Sequence, residues 1–408
     1  MSNKVKSILL IGTGSLLNYG CEAIVQGTYV ILKRFLPDYQ IYLASDDLKY
    51  DAKLLPKDIK LIRYKKRFTL YRIYKGVLRR FLHIGIGSAV RMNTNIGNKF
   101  DIVLSCGGDN FCEAPDGTLY NLLLDLKTIG DNCIKRQKKY CLWGSSVGPF
   151  INPANEKFVI GSLNKYTALF VRERKSYDYL SQFDIVRNKL KLVADPAFCM
   201  QKEDVCLDKN PEDVYIGINV SLLALGSTVW QMGGGSNDFC ERMFCQLDKI
   251  LMTNDRIKFL CIPHVLSDIG GPQDDYSFML RYVERTKFKE RVVLLPKYLG
   301  AKKTKGYISH CDLLVAARMH CCVGGISTAT PTLFLTYSNK GVGMAEYAYG
   351  HHKYDMPFNE IVEDKFISVI NSMLNDKNEI HQHLLNRQEA FYNDAMSSGA
   401  VLSQIISK

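Results

Sequence analysis

Ser7-Ile8-Leu9-Leu10-Ile11-Gly12-Thr13-Gly14 is the stretch whose reading decides the fold. Its apolar run is brief and passes straight into a glycine turn, the pattern of a strand buried on both faces of a parallel sheet rather than of a signal-peptide core. Working outward, short apolar, β-branched runs alternate with helix-length amphipathic stretches, which predicts parallel sheets with crossover helices. In the first half the strands are expected at 7–11, 40–44, 59–63, 101–105, 140–144, 168–171 and 190–193. A turn at Ala194-Asp195-Pro196 and a polar run over 201–212 separate the halves. The second half predicts strands at 214–219, 257–262, 292–295, 313–316 and 332–335. A chain of 408 residues exceeds what one hydrophobic core organises. The expected fold class is therefore α/β, with two Rossmann-like doubly wound parallel-sheet domains over 1–200 and 212–360. The predominantly helical, polar segment 361–408 is expected to pack back across the domains.

Composition narrows the function classes. Nearly half of the residues are apolar, 23% are charged, and no stretch approaches the roughly 20 apolar residues that span a bilayer. A cytoplasmic protein is expected. The thirteen cysteines are odd in number and lie mostly in apolar strand-like runs such as Tyr140-Cys141-Leu142-Trp143, which favours reduced, buried thiols. No C-x-x-C pair occurs, so no structural metal site is expected.

The net charge of +12 is concentrated in 57–99, where twelve Lys and Arg face one acid, Asp58. Within it, Arg63-Tyr64-Lys65-Lys66-Arg67-Phe68 and the residues to Leu82 interleave aromatic and aliphatic side chains with cations at helical spacing. Two readings stand side by side: an amphipathic helix in peripheral contact with anionic membrane, and a helix on the sheet with a solvated basic face. No nucleic-acid module accompanies the charge, so nucleic acid is not an expected partner.

Doubly wound sheets bind ligands at the carboxyl ends of their strands. Gly12-Thr13-Gly14 ends the first strand, Cys106-Gly107-Gly108-Asp109 the fourth, Ser145-Ser146-Val147-Gly148-Pro149 the fifth and Arg172-Glu173-Arg174 the sixth. In the second half Pro263-His264 and Arg318-Met319-His320 follow strands. Asp109, held by a glycine turn, can orient or deprotonate a hydroxyl, or cap a helix. Asp195 before Pro196 has a similar double reading. Arg318 and His320, two apart in a chain expected to be still extended, would project to the same side. A guanidinium there can grip carboxylate or phosphate, and an imidazole can give or take a proton near neutrality. Lys340 adds a cation after the next strand.

At these residues the chain resembles the polysaccharide pyruvyl transferase family. The resemblance runs through Asn18-Tyr-Gly20-Cys-Glu22-Ala-Ile, Cys106-Gly-Gly-Asp109, Ser146-Val-Gly148-Pro, Val171-Arg172-Glu-Arg-Lys-Ser176 and Ala194-Asp195-Pro196. It continues through Arg318-Met-His320, Gly325-Ile-Ser-Thr-Ala-Thr-Pro331 and Tyr337-Ser-Asn-Lys340. It implies a GT-B-like arrangement of the two domains with an interdomain cleft, the first on the acceptor side and the second on the donor side. It further implies phosphoenolpyruvate as donor substrate, no cofactor, and a lipid-linked or nucleotide-linked glycan acceptor in exopolysaccharide or capsule biosynthesis. By position it gives His320 proton transfer, Asp109 and Asp195 the role of essential carboxylates, and Arg172, Arg318 and Lys340 that of donor binding. Asn18, Gly108 and His264 complete the expected substrate-binding set. The chain departs from many members at Cys21, where they have Asp.

The other class that this fold admits is a GT-B glycosyltransferase using a nucleotide sugar, and a third is a membrane-associated scaffold without catalysis. The basic segment carries its own test. Neutralising Lys65, Lys66, Arg67, Arg79 and Arg80 together is expected to abolish co-flotation with anionic liposomes; unchanged flotation rejects the membrane reading.

Overall fold

The computed structural model describes residues 5–64, 93–113, 117–221, 223–226, 236–268 and 274–407. The most basic part of the chain, 65–92, and the triple glycine at 233–235 lie outside the described residues. The chain forms two compact units. One comprises Met1–Ser15, Leu32–Val193 and Ser398–Lys408, and the other Leu16–Ile31 and Ala194–Ser397.

The first unit is built on a parallel sheet. Its strands are β1 (Ser7–Ile11), β2 (Gln40–Ser45), β3 (Lys60–Arg63), β4 (Ile102–Cys106), β5 (Lys139–Ser145), β6 (Ala168–Val171) and β7 (Leu190–Leu192). Their order is β3-β2-β1-β4-β5-β6-β7. β1 lies between β2 and β4, with Ile8 opposite Ile41 on one side and Ile102 on the other. Every residue of β1, β4 and β6 is buried, as the unbroken apolar runs require, whereas the edge strand β3 is largely open to solvent.

The second unit repeats the plan with β8 (Val214–Asn219), β9 (Ile257–Cys261), β10 (Val292–Leu294), β11 (Leu313–Ala316), β12 (Thr332–Thr336) and β13 (Asp355–Pro357). The order is β10-β9-β8-β11-β12-β13. The expected strands are present, with ends shifted by a residue at most of them. β13 is the strand that the sequence reading did not anticipate. It has three residues, ends in a proline, and sits at the sheet edge, where a missing N–H is tolerated.

In each sheet the strand order reverses direction beside the first strand, between β1 and β4 and between β8 and β11. Such switch points open a crevice at the strand ends. The chain closes with the helices Asp364–Asn375 and Lys377–Ser407. The end of the last one belongs to the first unit, where Lys139 Nζ donates to the Ile405 and Ile406 carbonyls. Among the described residues no helix is long and apolar enough to cross a membrane.

Aromatic side chains fill the first unit's core. Trp143 is fully buried, edge-on to Phe170 at 4.9 Å between ring centroids, and Tyr140 meets Tyr166 at 4.7 Å. Trp143→Ala is expected to lower stability by about 3–5 kcal/mol in urea denaturation, the cost of a large buried cavity.

Candidate active site

The second unit's site begins with Asn219, the fully buried last residue of β8. Its amide donates from Nδ2 to the Ile262 carbonyl at 2.9 Å and accepts at Oδ1 from Arg318 N at 2.9 Å. One side chain thereby ties together the ends of β8, β9 and β11 at the switch point. Beyond β9, the fully buried Asp275 opens the helix Asp275–Arg285 and accepts from the main-chain N–H groups of His264 and Val265. Arg318 closes on the same carboxylate from Nε at 3.2 Å and Nη2 at 2.8 Å. Burial works against the Arg318 charge, but the Asp275 carboxylate and the Tyr337 hydroxyl outweigh it and hold the guanidinium's pKa above its ordinary value.

The extended spacing expected for Arg318 and His320 is corrected here. Arg318 has extended backbone, but the helix Met319–Ile326 starts at the next residue, so His320 lies in a helical first turn. The two side chains part. Arg318 turns to Asp275, while His320 Nε2 lies 3.3 Å from Oδ2 of the fully buried Asp195. Asp195 also accepts from Ala197 N at Oδ1, capping the short turn Pro196–Cys199. Oδ1 thus makes the turn while Oδ2 faces the imidazole.

Gly20 explains how the imidazole fits. A Cβ at this position would stand 2.5 Å from His320 Nδ1 and 2.8 Å from Cγ, so any side chain would expel the ring. The segment carrying Gly20 is fixed from both directions. Asn18 pairs with Val265 in an antiparallel bridge, its Oδ1 accepts from Gly20 N at 3.0 Å, and Tyr19 N donates to the His264 carbonyl at 3.0 Å. Glu22, buried one turn later, accepts from Ala301 N at 2.7 Å and so satisfies the N-terminus of the helix Ala301–Ile308.

His264 is buried edge-on against Tyr19, and neither ring nitrogen has a hydrogen-bond partner among the described residues. Burial, with the neighbouring His320 and Arg318, pushes its pKa well below the ordinary value, so the ring is neutral. His264 and His320 line a small common cavity of about 10 Å³. Lys340 is partly buried in the first turn of the helix Asn339–Tyr349, which follows β12.

The remaining expected residues cluster in the first unit, after β4, β5 and β6. Arg172, almost fully buried, reaches Asp109 Oδ1 from Nη2 at 3.1 Å and Ser146 Oγ from Nε at 3.2 Å. Asp109 keeps 58% of its side chain exposed, so the pair presents a carboxylate on a buried cationic support. Gly108 is required by contact: a Cβ there would lie 2.6 Å from Arg172 Nη2. The loop is held in place by Ser146 N donating to Gly108 O and Ser145 Oγ to Gly107 O, both at 2.7 Å.

The profile of the polysaccharide pyruvyl transferase family matches residues 18–339, a span that begins at Asn18 and ends just before Lys340. The chain belongs to this family. It is therefore a transferase of polysaccharide biosynthesis, and the matched span takes in the motifs from Asn18 to Arg318-Met-His320. No curated protein matches the chain by sequence. Solved structures are similar in fold. HepE of Anabaena, in complex with UDP and glucose, has a TM-score of 0.59 at 12% identity, covering 99% of this chain and all of that one. The UDP-GlcNAc 2-epimerase of Neisseria meningitidis bound to UDP-GlcNAc gives 0.56 at 12%, with 99% and 100% covered. That of Methanocaldococcus jannaschii gives 0.55 at 10%, with 91% and 93% covered. These likenesses give this pyruvyl transferase family member the GT-B fold.

Sequence reasoning missed Asp275, Asn219 and Glu22. Asp275 follows a glycine-proline run and reads locally as one of two helix-capping aspartates, Asp274 and Asp275; nothing nearby announces a partner 43 residues away. Removing it leaves Arg318 buried without its counter-charge. Asp275→Ala is expected to destabilise the protein by roughly 3–5 kcal/mol in urea denaturation, and a loss below about 1 kcal/mol would show that the pair is dispensable.

Proposed function

We propose that this family member transfers pyruvate from phosphoenolpyruvate to two hydroxyls of a glycan acceptor and forms a cyclic ketal. The observation that carries the reading is the His320–Asp195 pair at 3.3 Å, in a chain whose family motifs it completes. With Nε2 turned to Asp195, the proton for delivery sits on Nδ1, on the Gly20 side of the ring. Transfer of that proton to the methylene carbon of phosphoenolpyruvate leaves positive charge at the central carbon. One acceptor hydroxyl adds there and releases its proton; the C–O bond to phosphate breaks, and the second hydroxyl closes the ketal with loss of its own proton. The buried Asp195 carboxylate fixes the ring's orientation through Nε2, which makes it a positioning residue for His320.

Arg318 and Lys340 supply positive charge for the donor's carboxylate and phosphate in this reading. Since Asp275 takes the Nε–Nη2 face of Arg318 and offsets its charge, donor binding rests more on Lys340 than on a bidentate grip by Arg318. Asp109, supported by Arg172, orients a hydroxyl. His264, neutral and with unbonded ring nitrogens, is suited to hydrogen-bond an uncharged donor or acceptor group of substrate.

Purified protein incubated with phosphoenolpyruvate and lipid-linked or nucleotide-linked acceptors from its native glycan pathway is expected to release phosphate and add pyruvate to the glycan. His320→Ala is expected to lower kcat by roughly a hundredfold or more, whereas Lys340→Ala mainly raises KM for phosphoenolpyruvate. Absence of transfer to every pathway acceptor overturns the proposal. A nucleotide-sugar transferase is the second reading, favoured by the fold shared with proteins solved with UDP and UDP-GlcNAc. Thermal stabilisation by UDP-sugars and none by phosphoenolpyruvate would select it.

A further inference from the structure

A second cavity, of about 370 Å³, lies wholly within the second unit. Its size is that of a small-molecule site. It opens beside the turn Ser327-Thr328-Ala329 that ends the helix Met319–Ile326, and beside Ser309, which ends the helix Ala301–Ile308. The helix Lys377–Ser407 covers one side with Phe391 and Tyr392. None of these residues figures in the pyruvyl-transfer proposal, and the inference does not depend on it.

The decisive feature is Lys305. Its side chain is almost completely buried, yet among the described residues no carboxylate pairs with it, and its hydrogen bond goes to the Met200 carbonyl at 2.6 Å. An ammonium removed from water without a counter-charge is costly, and burial lowers the pKa of Lys305 to about 8. A second cation, Lys202, lines the same cavity and donates to Ser309 Oγ at 3.1 Å. Helix carboxyl ends attract cations, and Lys202 beside Ser309 serves that purpose. Lys305 does not, because its ammonium leaves its own helix for the Met200 carbonyl. It stands as a buried donor with hydrogen-bonding capacity to spare.

We propose that this cavity binds a sugar phosphate. Two lysines match the two charges of a phosphate monoester at neutral pH, and the hydroxyls of Ser309, Ser327 and Thr328, each donating to a main-chain carbonyl of its own helix end, leave the lysines as the donors to it. The volume left beyond a phosphate accommodates a monosaccharide. Gln388 and Thr328 offer partners for its hydroxyls, and the rings of Phe391 and Tyr392 offer apolar faces for its C–H surface. The cavity also shares Met200, Lys305 and Ser327 with the small cavity at His264 and His320.

Isothermal titration of the full chain tests the assignment, with glucose 6-phosphate as probe and inorganic phosphate and glucose as controls. Glucose 6-phosphate is expected to bind more tightly than phosphate, with glucose showing no binding. Lys305→Met and Lys202→Ala are each expected to weaken it by roughly tenfold or more. His320→Ala is expected to leave this binding unchanged, which separates the cavity from the candidate active site. Lys202 is exposed, so its variant remains informative if Lys305→Met fails to fold. The proposal is overturned by absence of glucose 6-phosphate binding, by binding no tighter than phosphate, by equal affinity in the Lys202 variant, or by loss in His320→Ala.

Discussion

The buried bidentate pair between Arg318 and Asp275 is the constraint on which the second unit's site depends. Asp275 receives the main-chain N–H groups of His264 and Val265 and both donor arms of Arg318, while Arg318 N is itself held by Asn219. The turn after β9, the helix after that turn and the junction between β11 and its helix are therefore locked by one charged contact. Taking two ions out of water costs several kcal/mol, and such a pair is worthwhile only when every remaining lone pair and proton is satisfied. The two main-chain donors on Asp275 meet that condition for the carboxylate.

The position of the imidazole follows from this lock. His264 and Val265 anchor the Asn18–Gly20 segment through backbone hydrogen bonds, and Gly20 in turn leaves the space that His320 occupies. Asp195 approaches from the opposite side on a turn that it caps itself. The arrangement around the imidazole is thus made partly by subtraction: a missing side chain at position 20 matters as much as the carboxylate that faces the ring. The first unit uses the same device, with Gly108 giving way to the buried guanidinium of Arg172 beneath Asp109.

Gly20 and Gly108 also show how a motif can be legible while its reason is not. Both glycines stand out in the sequence, Gly20 inside a family motif and Gly108 in the turn that holds Asp109. Neither needs a left-handed backbone, since both are absent from the positive-φ glycines, and what each excludes is a clash with a side chain far along the chain. Arg318 was legible as a cation at a strand end, but the bidentate partner expected for it was a ligand, whereas Asp275 of the protein occupies that role. Its two-residue spacing from His320 also implied a shared side that the start of a helix at Met319 removes.

The sequence by itself determined the two parallel-sheet units, nearly all their strands, and the strand ends where Asp109, Asp195, His264, Arg318 and His320 stand. These are local properties, written in runs of four to seven residues whose burial on both faces demands apolar side chains. Tertiary structure alone decided the partners: Asp275 for Arg318, Asp195 for His320, Arg172 for Asp109, Glu22 for the helix at Ala301. A carboxylate or a glycine carries no local mark of the group it will meet once distant strands close into a sheet. That meeting is set by the packing of the whole unit, and it turns strand-end residues into a site.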